Sequence, residues 1–159
     1  MLFRSGAGED GPVRAAWKAA GVRAVVEPFV HGMGPAWGAA DLAVSRAGAS
    51  SVAEAWANAV PTLFVPYPHH RDRHQHRNAA PMAEVGGAVV ETDAGDATTS
   101  GAGPSVTLSE LIRDESRRRS MQAALRAHPA PDAAKTIARM LLGELSAVSR
   151  QQDSDQPRS

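Results

Sequence analysis

Four of the chain's six histidines, His69, His70, His74 and His76, crowd into the run PYPHHRDRHQHRNAA. His70 and His74 stand four apart with Asp72 between them, a spacing that would put two imidazoles on one helical face for zinc. The Glu-x-x-His context of a metalloprotease helix is absent from the run. A plainer alternative is a polar loop and helix start with Asp72 as N-cap. In a third, His74 and Gln75 face a sugar, because imidazole and amide groups suit hydroxyls. His31 and His128 are isolated and read as structural or exposed.

The second candidate is a turn, in the stretch DLAVSRAGASSVAEAWANAVPTLFVPYPHH (residues 41–70). Here Arg46-Ala47-Gly48-Ala49-Ser50-Ser51, nearly free of bulk, joins an apolar strand to a helix. Small side chains let a ligand approach the backbone, and unpaired N–H groups at a helix start favour an anion such as a phosphate. Close packing of the helix on its sheet calls for the same residues, so both uses stay open. Glu54 is also double. Ser51-Val52-Ala53-Glu54 has the form of a capping box, as does Thr107-Leu108-Ser109-Glu110, which no ligand-like turn precedes. Spacing therefore favours a cap, while a carboxylate one turn inside a phosphate-binding helix could accept bonds from a ribose diol.

The elements that would position these residues follow from the pattern around them. Asp10-Gly11-Pro12 starts a helix that Gly21 stops, and VRAVVEPF (22–29) reads as a strand. A short helix at 34–40, a strand at 42–45 and a helix at 51–58 come next. The run PTLFVP, apolar between two prolines, fits a strand covered on both faces. A helix at about 73–84 and a strand at 88–91 complete an alternation that implies a parallel sheet with right-handed crossovers. Ligands in such sheets sit beyond the carboxyl ends of the strands, which is where the small-residue turn lies. Helical stretches near 108–113, 115–127 and 133–147 follow a flexible loop.

Totals narrow the class. At 159 residues with 43% apolar content, the chain suits one domain with a real core. Its 17 basic and 17 acidic side chains balance, so no bulk field draws it to nucleic acid. It has no cysteine for disulfides or thiolate metal sites, and no apolar run near the roughly 18–20 residues that span a bilayer. The opening residues, 1–11, read as a truncated start or a strand remnant, 12–147 as the domain, and 148–159 as a disordered tail.

Five runs stand in one order: FVHGM (29–33), ADLAVSRAGASSVAE (40–54), VPTLFVPYPH (60–69), DRHQHRNA (72–79) and PDAAKTIA (131–138). From about residue 12 to 145 they resemble the carboxyl-terminal half of the MurG-type UDP-N-acetylglucosamine transferases of glycosyltransferase family 28, which complete lipid II. The stretch from Ser45 to Glu54, followed by His74-Gln75, is the most specific part. The resemblance implies an α/β, Rossmann-like parallel sheet, the donor half of a GT-B enzyme without its first strand–helix unit and its N-terminal acceptor domain.

By the same resemblance, the Val30 backbone would hold uracil with Met33 nearby. The amides of Ala49, Ser50 and Ser51 would meet the diphosphate and sugar, with Val52 and Ala53 in the same donor-binding run. Glu54 would take the ribose hydroxyls, and Gln75 with His74 beside it the N-acetylglucosamine. The ribose role of Glu54 then ranks above the cap, and both can hold because a carboxylate has two oxygens. The implied reaction is an inverting displacement, in which the muramyl 4-hydroxyl of lipid I attacks the anomeric carbon and UDP leaves. No metal or other cofactor is implied, so a helix N-terminus and its free amides would meet the departing charge.

The implied location is cytoplasmic, peripheral on the inner face of the bacterial plasma membrane, with lipid I reached through the absent domain. Departures from the family are specific. Its Gly-Gly-Ser-x-Gly loop is absent, and no residue can be named as the catalytic base. Ala47 replaces a common serine and Ala59 a usual helix-ending glycine, where Asn58 could turn left-handed instead. Two other functions compete: a partner-dependent donor-binding subunit of a split enzyme, and a zinc protein built on the histidines.

Overall fold

Short β-branched runs alternate with helices along the chain, and the pairing they make is parallel throughout. The computed structural model describes residues 2–4, 8, 10–68, 73–93 and 102–154. β1 (Leu2–Arg4) leads through α1 (Asp10–Ala19) to β2 (Val25–Glu27), and α2 (Gly34–Gly38) leads to β3 (Ala43–Ser45). Next come α3 (Ala49–Ala57), β4 (Thr62–Phe64), α4 (His74–Glu84) and β5 (Ala88–Val90). The helices α5 (Ala102–Arg113), α6 (Glu115–Ala127) and α7 (Ala133–Ser154) close the order. The chain divides into two compact units, Met1–Pro129 and Ala130–Ser159.

In the first unit β1 pairs with β2, and β4 lies between β3 and β5. Leu63, at the middle of β4, stands opposite Val44 on one side and Val89 on the other. Thr62, Leu63 and Phe64 are all fully buried, as a central strand covered on both faces requires. Thr62 tolerates this because its Oγ1 donates to the Val60 carbonyl at 2.9 Å. Leu63 clusters with Leu111 of α5 and Met121 of α6, and Leu42, Val65, Val89 and Leu108 pack around them. Trp56 of α3 buries its ring and donates its indole N–H to the His128 carbonyl at 2.6 Å.

Helix ends depart from expectation in instructive ways. Gly21 ends α1 region at φ +68°, the left-handed stop its position suggested. Neither expected capping box caps anything. α3 starts at Ala49 with Gly48 as its N-cap, so Ser51 is already inside the first turn. α5 starts at Ala102, so Thr107 lies mid-helix, where its hydroxyl donates to Glu91 Oε1 at 2.6 Å. The residue flanking α4 is Arg73, in the left-handed region at φ 50°, while Asp72 lies outside the described residues. In the second unit Asp132 Oδ1 accepts the Lys135 N–H at 2.9 Å, and α7 runs on to Ser154. The tail expected to be disordered from 148 is therefore helical that far. A nucleated helix gains one hydrogen bond per added residue, and Arg and Gln extend it readily.

After α3 it is Ala59, not Asn58, that turns left-handed, at φ 51°. Asn58 stays at φ −93° because its side chain donates to the Glu54 carbonyl at 2.8 Å. A Cβ in that region costs about 1–2 kcal/mol, part of which glycine gives back in unfolded-state entropy. Ala59→Gly is expected to stabilise the fold by about 1 kcal/mol, raising the melting temperature by about 2–4 °C. A thermal melt that falls instead would show the alanine to be unstrained.

Candidate functional site

Parallel pairing brings the carboxyl ends of β3, β4 and β5 to one edge, and Arg46 ties them together. It directly follows β3, and its Nη1 donates to the carbonyls of Val65 and Pro66 after β4, at 3.0 and 3.3 Å. The same nitrogen pairs at 2.7 Å with Asp93 Oδ2, beyond β5. Its guanidinium carbon lies 5.6 Å from the centroid of the Tyr67 ring, within reach of a cation–π contact.

The small-residue turn follows immediately. Ala47 is fully buried, and its carbonyl accepts the Asn78 side-chain N–H of α4 at 3.1 Å. The Gly48 N–H folds back onto the Arg46 carbonyl at 2.8 Å, leaving Gly48 extended at φ −67°, ψ 148°. No side chain caps α3. The first-turn N–H groups of Ala49, Ser50 and Ser51 therefore have no partner among the described residues. Ala49 and Ser50 are exposed and Ser51 is half-buried, so these donors and the positive end of the helix face accessible space.

One turn further, Glu54 Oε2 accepts the Trp37 indole N–H at 2.6 Å. Trp37 is 8% exposed and belongs to α2, whose N-cap is Met33. The bond places α2 against α3 and leaves Glu54 Oε1 without a partner among the described residues. Val30 is half-buried in the loop before α2, between Phe29 and His31, whose rings meet edge-on at 4.8 Å. Gln75, on the first turn of α4, accepts the Tyr67 backbone N–H at 2.8 Å through Oε1.

Val52, Ala53 and His74 complete the expected set. Val52 is buried, and its N–H is spent on the Gly48 carbonyl at 3.0 Å. Ala53 is exposed but lies beyond the first turn. His74 opens α4 beside Gln75, and both are half-buried. His69 and His70 lie outside the described residues, among which no group of three or more His, Asp and Glu side chains gathers to hold a metal. The expectations missed Trp37, the reach of Arg46 and the clamp by Asn78. For Arg46 the sequence did carry a hint, a lone cation at the carboxyl end of an otherwise apolar run.

Comparison with known proteins identifies the family. Residues 2–137 match the glycosyltransferase family 28 C-terminal domain. A UDP-N-acetylglucosamine–N-acetylmuramyl-(pentapeptide) pyrophosphoryl-undecaprenol N-acetylglucosamine transferase of Pseudomonas syringae pv. syringae is 36% identical over 137 residues, 86% of this chain and 38% of the relative. A transferase of the same name from Azotobacter vinelandii is 40% identical over 121 residues, 76% of this chain and 33% of its own length. Among solved structures, the crystal structure of Acinetobacter baumannii MurG superposes with a TM-score of 0.75 at 27% identity, covering 89% of this chain and 42% of that one. This chain thus spans well under half the length of these relatives. With its parallel sheet, its bare helix start and the matched residues 2–137, the chain belongs to the glycosyltransferase family 28 C-terminal domain family.

Proposed function

We propose that this chain binds UDP-N-acetylglucosamine and acts as the donor half of the transferase that converts lipid I to lipid II. The observation that carries this reading is the row of bare amides on Ala49, Ser50 and Ser51 at the end of a parallel strand. Three N–H donors aligned with a helix dipole suit a diphosphate, and they suit it best when charge builds on the departing UDP. Glu54 keeps Oε1 for the ribose diol while Oε2 holds Trp37. The Val30 backbone and Met33, at the start of α2, receive the uracil, and Gln75 with His74 the sugar.

Chemistry at the anomeric carbon needs a base to take the proton from the muramyl 4-hydroxyl as the glycosidic bond to UDP breaks. No residue of this chain is assigned as that base or to the binding of lipid I. The 159 residues alone are therefore expected to bind donor but to transfer no sugar to lipid I.

Calorimetry with UDP-N-acetylglucosamine, UDP-glucose and UDP-galactose tests the reading. The first is expected to bind most tightly. A folded sample that takes up none of them, or a UDP-soaked crystal with nucleotide away from the α3 N-terminus, ends the proposal.

A further inference from the structure

Gln75 has one end of its amide already committed. A backbone N–H can only donate, so the Tyr67 N–H, at 2.8 Å, fixes the oxygen end of Gln75 as its acceptor. The opposite end of the amide, Nε2 with its two donors, is uncommitted, while Oε1 keeps a second lone pair beside Tyr67. What holds Tyr67 in place comes from a different strand. Arg46 grips the carbonyls of Val65 and Pro66, the two residues before Tyr67, and lies against the Tyr67 ring. Asp93, whose side chain is 14% exposed, anchors the half-exposed Arg46 from beyond β5. Asn78 adds a second tie, from the same helix as Gln75 to the turn after Arg46.

The geometry points to Arg46 as a positioning residue for sugar recognition. By locking residues 65–67 to the ends of β3 and β5, it fixes which end of the Gln75 amide is held by Tyr67 and so leaves the Nε2 donors for a hydroxyl oxygen of the bound sugar. Arg46 does this without needing to touch the nucleotide. The inference rests on the donor-site reading above, and the experiment separates the two.

Dissociation constants for UDP and for UDP-N-acetylglucosamine are measured on the full 159-residue chain, and their ratio reads the contribution of the sugar. A folded, unsubstituted chain that binds neither compound removes the donor site itself. With binding established, Arg46→Ala is expected to shrink the ratio about three- to tenfold, the scale of one hydrogen bond. Gln75→Ala is expected to do the same, and the double variant no more than either, because both act through one amide. Arg46→Met keeps an apolar stem beside Tyr67 and removes the charge with its donors. It carries the same expectation and replaces the alanine variant if that one does not fold. Equal affinity for the two nucleotides in the unsubstituted chain, an unchanged ratio in a folded Arg46 variant, or full additivity with Gln75→Ala overturns the inference.

Discussion

Glu54→Ala is expected to weaken binding of UDP-N-acetylglucosamine about ten- to hundredfold, the loss of about 1.5–3 kcal/mol that a charged acceptor contributes. Two effects add in this variant. The ribose loses its acceptor, and the Trp37 indole, nearly buried, loses the carboxylate that now takes its N–H at 2.6 Å. Glu54→Gln separates them, because its amide oxygen can still accept from Trp37 while offering the ribose only a neutral group. A milder loss of affinity is expected there, with the melting temperature close to that of the unsubstituted chain. Ser51→Ala is the control for the alternative role. If a Ser51–Glu54 capping box operated, that change would destabilise α3 by about 1 kcal/mol. With Gly48 as the N-cap it is expected to leave stability nearly unchanged. Unaltered donor affinity in Glu54→Ala would remove Glu54 from the site and leave it as the tie between α2 and α3.

Gly87→Ala is expected to destabilise the fold by about 1–3 kcal/mol, lowering the melting temperature by roughly 2–12 °C. The cause is a close approach, since Gly87 has no unusual φ. A Cβ built there would stand well inside contact distance of Leu125 Cδ2 and Cγ. Leu125 is 1% exposed, so its side chain has no open space in which to retreat. Gly87 also accepts the Thr62 N–H at 3.4 Å just before β5, so a shift there moves the strand that delivers Asp93 to Arg46. Shortening the opposing side chain should relieve the clash. Adding Leu125→Ala to Gly87→Ala is expected to cost less than the two single losses summed. Strict additivity in the melts would show that the two residues do not press on each other.

What the sequence determined by itself was local chemistry and order. Period and punctuation were enough for the alternating strands and helices, for β4 buried on both faces, and for Gly21 as a left-handed stop. The small-residue turn before α3 was legible because bare amides need only the absence of bulk and of a capping side chain, both local properties. Spacing misled where two local solutions compete. Ser51 and Glu54 have the form of a cap, yet the chain turns into the helix earlier, at Gly48. Asn58 is the better left-handed residue, yet its side chain is held by the Glu54 carbonyl and Ala59 takes the strain.

The tertiary structure alone decided which side chains meet. Trp37 reaches Glu54 across 17 residues, Asn78 reaches Ala47 across 31, and Arg46 reaches Asp93 across 47. No periodicity encodes such pairs, because they depend on parallel strands delivering distant carboxyl ends to one edge. Backbone amides are present in every turn, but the register of β3, β4 and β5 decides what stands beside them.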